Sequence, residues 1–307
     1  MSTIKNRHRH FKPKFPTNMS MADMYWYALV DNILFEGFKD ENPRPKYSDG
    51  TPAHTISLNQ QLHRYDLSKG QFPICTYRPL AVKSAIREIL WIYQDQSNSL
   101  DLLKDKYKIS WWDEWESKDM PGTIGMRYGA TIKNYDIMNK FLKDLKENPF
   151  GRRHIISLWQ EKDFGDSDGL MPCAFLTMWN VRNVDGVYYL DMTLIQRSSD
   201  WITAGNLNQI QYVALMMMVA NSCGYIPGTF VHFMQNVQIY DRHIEAAKEM
   251  LNRQEIYVKP GVYPSMVLNR PVGTDFYDFK DSDFQFIDYD IERIKKENPQ
   301  VELDLGI

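Results

Sequence analysis

The stretch VYYLDMTLIQRS, residues 187–198, alternates along its length. Leu190, Met192 and Leu194 fall on one face, and Asp191, Thr193 and Arg197 on the other. A period of two marks a β-strand with one face buried. Residues 183–186 (NVDG) read as a turn, and 174–181 (AFLTMWNV) before them as another strand, so the two are expected as a hairpin. Further strands are expected at 154–159 and 230–240. Helices are expected at 22–35, with Tyr25, Leu29, Val30 and Ile33 inward, at 81–93, at 136–146, at 207–221 and at 244–253. No Gly/Ser-rich linker, repeat or low-complexity tract divides the chain. The expectation is a single α+β domain, strands and helices mixed around one core.

Composition agrees with an ordinary globular chain. Of 307 residues, 43% are hydrophobic and 24% charged, and 36 Lys+Arg against 39 Asp+Glu give −3. That balance argues against a general electrostatic grip on nucleic acid. Cys75, Cys173 and Cys223 are too scattered for a disulfide framework, and no His/Cys cluster suggests a metal. The longest apolar runs, such as 212–220, fall far short of the roughly 20 residues that cross a bilayer. No apolar signal segment opens the chain, so the expected compartment is the cytoplasm. Residues 1–16 hold five Lys/Arg and no acid, and read as a solvated basic arm ahead of a domain at 17–307.

Cys173 sits in LMPCAFLTMWNV, after a proline and at the mouth of an expected strand. A lone cysteine is more often a small buried hydrophobe than a nucleophile. A zinc-deaminase motif needs a second cysteine three residues on, where Leu176 stands. Three arginines alter the balance: Arg152 and Arg153 precede one strand, and Arg197 ends another. Guanidiniums near a thiol would hold a phosphate through bidentate hydrogen bonds and favour the thiolate. Glu88 lies between Ile86 and Leu90, close to the apolar face of its helix, where a carboxylate is costly unless used or paired.

The strings DGTPAHT, REILWIY, WWDEW, GTIGMRYG, RRHIISLW, MPCAF, QRSSDWITAGNLNQIQY and IYDRHIEAAKEML occur in this order from about Asp23 to Ile307. Together they resemble the folate-dependent thymidylate synthase family, in a divergent bacterial- or phage-like subgroup. The resemblance implies a mixed sheet packed by helices, whose outer face forms a homodimer interface. It implies methylation of dUMP to dTMP with 5,10-methylenetetrahydrofolate as one-carbon and hydride donor, dihydrofolate as product and no metal. Cys173 would attack carbon-6 of the pyrimidine. Arg152 and Arg153 would bind phosphate from the second subunit, and Arg197 and Ser198 from their own. Arg44 is the candidate loop phosphate ligand, with Lys46 as rival. Glu88 would organise proton movement near the 4-oxygen, and Tyr128 would lie near carbon-5. Trp112 and Trp115 would line the folate pocket, and Gln196, Asp200 and Asn208 would serve base and folate. Tyr240 and Gln238 would meet the sugar, and Ile307 would close over the folate.

Asn208 can offer both a donor and an acceptor to uracil, whereas a carboxylate there would suit cytosine, as in the related nucleotide hydroxymethylases. The rival readings are such a hydroxymethylase, which Asn208 opposes, and a nucleotide- or RNA-binding homologue without catalysis, which Cys173 and Glu88 oppose. The chain departs from the family pattern at Ala174, Gln238, Ala204-Gly205-Asn206 and Gln235-Asn236.

Overall fold

In chain order, the strands of the computed structural model are β1 (Phe38–Lys39), β2 (Thr55–Asp66), β3 (Ile155–Ser157), β4 (Ala174–Val184), β5 (Val187–Gln196), β6 (Ser199–Asp200), β7 (Ile226–Tyr240), β8 (Ser265–Leu268) and β9 (Phe284–Ile287). The helices are α1 (Met21–Glu36), α2 (Val82–Tyr93), α3 (Leu100–Tyr107), α4 (Gly129–Asn134), α5 (Ile137–Glu147), α6 (Glu161–Asp166), α7 (Asn206–Cys223), α8 (Ile244–Leu251) and α9 (Ile291–Glu297). The structure describes residues 18–304 and 306. The basic arm and Ile307 lie outside the described residues.

The expected hairpin lies within the main sheet. Val184 pairs with Val187, leaving Asp185 and Gly186 as a two-residue turn. Both have left-handed backbone, φ 51° and 85°, the combination whose twist matches the flanking strands. The Asn183 side chain accepts the Gly186 N–H at 2.8 Å. The sheet runs β1-β2-β7-β5-β4-β3, with β6 beside β7. All pairings are antiparallel except β5–β7 and β6–β7, so the sheet is mixed. Leu190, Met192 and Leu194 are all buried, as the alternation requires.

α7 connects β5 and β6 to the parallel β7 and is buried nearly all round, as a helix sealed in a core must be. α2 packs on it and buries Ile86, Ile89 and Leu90 as expected. α1 buries Ala22, Trp26, Leu29, Val30 and Ile33; Tyr25 is only half-buried and stacks on His63 at 4.3 Å. No described helix is long and apolar enough to cross a membrane.

Several elements have no counterpart in the sequence reading, α3 and β2 among them. α3 is short, and its cap, Ser99 accepting the Leu102 N–H, was its main signal. β2 reads TISLNQQLHRYD, with no clean alternation, and only His63 and Tyr65 are buried. It exists because its backbone pairs with β7 from Thr55↔Tyr240 to Asp66↔Thr229, a partner more than 160 residues away. The strand expected at 154–159 contracts to Ile155–Ser157, and β7 starts earlier than expected.

Candidate active site

The sheet brings several chain segments to one cavity of about 460 Å³. Cys173 immediately precedes β4, Gln196 ends β5, and Arg197 and Ser198 follow it. Asp200 caps the turn Trp201–Gly205, accepting the Thr203 N–H at 3.2 Å, and Asn208 lies in the first turn of α7. A side chain at Gly205 would lie 2.2 Å from the Trp201 ring, so this tight entry into α7 requires glycine. Gln238 and Tyr240 end β7, and Glu88 projects from α2.

Cys173, Gln196, Arg197, Ser198, Asp200, Asn208, Gln238, Tyr240 and Glu88 line the cavity, together with Arg44, Trp112, Trp115 and Tyr128. Lys46 does not line it; it pairs with Pro52 in an isolated bridge. Arg152 and Arg153 are exposed and do not line it either. Gly306 does, near Tyr240, where a Cβ would lie 2.5 Å from the ring.

At the thiol, Arg197 Nη2 donates to Cys173 Sγ at 3.5 Å. Arg197 is held in place by donating to the carbonyls of Met171 at 2.7 Å and Pro172 at 3.0 Å. The Cys173 N–H donates to Tyr128 Oη at 3.1 Å. Tyr128 itself has φ 49° and ψ −107°, a sparsely populated backbone for a non-glycine residue. Burial raises the Cys173 pKa; Arg197 and Arg44 oppose this without reversing it. Arg197 thus acts toward the thiolate, as expected of a nearby guanidinium, but desolvation is the larger effect.

Burial pushes the Glu88 pKa up to about 7, against hydrogen bonds from neighbouring tryptophan and glutamine side chains. One of these is direct: Trp111 Nε1 donates to Glu88 Oε2 at 2.6 Å. The sequence reading missed Trp111, because adjacent tryptophans give no local sign of which one turns to the carboxylate. Trp112 instead packs edge-on against Trp115 and Tyr128, with ring centroids 5.7 and 5.3 Å away. Burial also raises the Asp200 pKa, partly opposed by His243 and by Thr203. Gln238 exchanges hydrogen bonds with Ser198 Oγ, at 3.2 and 3.4 Å.

The Glu88 shift has a measurable consequence. Unfolded, this carboxyl titrates near 4.5. Between 4.5 and about 7 the folded protein keeps a proton that the unfolded chain has released, so stability falls as pH rises and levels off above. The loss is of order 3 kcal/mol. Glu88→Gln cannot ionise and should not show it. Urea unfolding of both proteins at pH 5 and pH 8 checks this; the same pH dependence in both would disprove the shift.

Fold and cavity together define an α+β enzyme with a cysteine, an arginine and a near-neutral carboxyl around one polar, aromatic-walled pocket. The family model for thymidylate synthase matches residues 24–301. A thymidylate synthase of Streptococcus pneumoniae is 50% identical over 289 residues, 94% of this chain and 100% of the relative. That of Streptococcus sanguinis is 48% identical with the same coverage. The solved structure of thermostable thymidylate synthase A from Bacillus subtilis aligns with a TM-score of 0.80 at 32% identity, covering 94% of this chain and 100% of that one. The chain belongs to the thymidylate synthase family. Its activity is the family's, methylation of dUMP to dTMP with a folate as co-substrate.

Proposed function

We propose that Cys173 is the nucleophile of this reaction and that the other cavity residues serve it as follows. The observation that carries the reading is Cys173 Sγ within 3.5 Å of Arg197 Nη2, in a cavity that Glu88, Tyr128 and Asn208 also line. The sulfur adds to carbon-6 of the uracil ring, which makes carbon-5 nucleophilic. Because burial raises the thiol pKa, loss of its proton is coupled to substrate entry, with Arg197 stabilising the developing negative charge. Arg197, Ser198 and Arg44 bind the phosphate. Gln238 and Tyr240 meet the sugar. Glu88, with a pKa near neutrality, exchanges a proton at the pyrimidine 4-oxygen. Tyr128 serves proton removal at carbon-5.

Trp112 and Trp115 form an aromatic wall suited to a flat pterin ring, with Asp200 as its polar partner. When bound there, 5,10-methylenetetrahydrofolate supplies the one-carbon unit and the hydride. Ile307 is proposed to close over the bound folate.

We further propose a cytoplasmic homodimer formed through the sheet, with residues 17–307 as the catalytic domain and 1–16 as an appended arm. Exposed apolar side chains on the strands, Leu62 at 55% and Met178 at 37% among them, support an interface there. Arg152 and Arg153 then complete the partner's phosphate site. Release of tritium from 5-tritiated dUMP, assayed with and without folate, tests the chemistry. No release under either condition, from a folded protein, would refute it.

Asn208 is proposed to read the base. Asn208→Asp should lower the ratio of kcat/KM for dUMP to that for dCMP by at least about tenfold, since a carboxylate accepts from an amine but cannot donate to the 4-oxygen. An unchanged ratio would remove Asn208 from base recognition.

A further inference from the structure

A carboxamide has no direction of its own. Turned one way, Asn208 offers Nδ2–H to a 4-oxygen and Oδ1 to a protonated N3, the edge of uracil. Turned over, it offers Oδ1 to a 4-amino group and Nδ2–H to a bare N3, the edge of cytosine. Which base it reads therefore depends on what holds the amide.

Two neighbours hold it. Gln196 Nε2 donates to Asn208 Oδ1 at 3.1 Å, and Asn208 Nδ2 donates to Gln211 Oε1 at 2.9 Å. The direction of Gln196 is itself fixed, because the same Nε2 donates to the Ser198 carbonyl at 2.8 Å, and a carbonyl can only accept. Gln196 Oε1 is then an acceptor facing His232 Nε2 at 2.9 Å, so this ring nitrogen must carry the hydrogen. The other ring nitrogen, Nδ1, becomes an acceptor and lies 3.2 Å from Gln209 Nε2. Gln209 Nε2 also lies 3.1 Å from His63 Nδ1, so its two hydrogens serve the two rings, and its Oε1 is free to accept from Tyr65 Oη at 3.2 Å. One assignment of donors and acceptors satisfies the whole chain of groups. His232 is fully buried, and burial holds its pKa well below the ordinary range, so the ring is neutral with one donor and one acceptor, as the chain requires. It does not line the cavity and touches no reacting atom.

We propose that His232 is a positioning residue: acting through Gln196, it fixes the direction of the Asn208 amide and so sets the choice of uracil over cytosine. The proposal rests on the reading of Asn208 as the base ligand. A buried network of this kind is strong when fully satisfied and fails when one member is lost.

The test is the ratio of kcat/KM for dUMP to that for dCMP, each measured by tritium release from carbon-5, in four proteins: the parent, Asn208→Asp, His232→Phe and His232→Gln. Phenylalanine keeps the ring and removes both nitrogens, and should lower the ratio at least about tenfold. Glutamine places an amide donor near the lost Nε2 and should return the ratio to within about threefold of the parent. A folded His232→Phe protein with the parental ratio, however slow, would reduce His232 to packing and overturn the proposal. If His232→Phe does not fold, Gln209→Leu removes the donor that holds the histidine tautomer; a lowered ratio supports the proposal and a parental one overturns it. A shift in Asn208→Asp with none in His232→Phe sinks the relay alone. No shift in Asn208→Asp sinks the base reading and the relay with it.

Discussion

Replacing Cys173 with alanine is expected to lower kcat by at least about 10⁴-fold while leaving dUMP binding largely intact. Cys173 is the one cysteine among the described residues lining the cavity; a thiolate is a far stronger nucleophile than the hydroxyls of Ser198 or Thr203, and water has no comparable route. The groups proposed to grip the phosphate do not depend on the sulfur for their placement. Arg197 remains anchored on the carbonyls of Met171 and Pro172, and Ser198 on Gln238. Calorimetric titration with dUMP, together with single-turnover assays, separates binding from chemistry. Turnover within tenfold of the parent would show that another residue attacks the ring.

Mixing two inactive proteins is expected to restore about a quarter of parental activity. The two are Cys173→Ala and Arg153→Glu, unfolded and refolded together. Arg153 is exposed and outside the cavity of its own chain, so a phosphate role for it requires a second copy. In a symmetric dimer every cross-contact occurs twice. A mixed dimer then gathers both lesions in one pocket and leaves the other whole. Random mixing puts half the population in mixed dimers with one good site of two, hence about a quarter. If Arg153 served its own chain's pocket, both pockets of the mixed dimer would carry a lesion. No recovery, with mixed dimers verified by mass and both parents folded, would end the shared-site reading.

Residue order alone determined those features whose physics is local. The alternation of 187–198 dictates which side chains face the core, and the pair Asp185-Gly186 tolerates the left-handed backbone that closes the hairpin. Helical periodicity set the inward faces of α2 and α5 and placed Glu88 beside an apolar stripe. The ordered strings also led to the residues that converge on the cavity, because the family's motifs are written in the chain itself.

Tertiary structure decided what depends on groups far apart in sequence. β2 carries little period of its own and is a strand because β7 supplies its hydrogen bonds. Arg44 rather than Lys46 faces the cavity, a choice made by the path of one loop. The Cys173 thiol and the Glu88 carboxyl both have raised pKa values; the sequence places arginines near the first and an apolar stripe beside the second, but neither neighbour gives the net shift. Desolvation depends on everything packed around a group, and no short stretch of sequence encodes it. The direction of the Asn208 amide belongs here too: it follows from hydrogen bonds that run from α7 to β5 and on to His232 on β7. Only folding brings those donors and acceptors within 3.1 Å of one another.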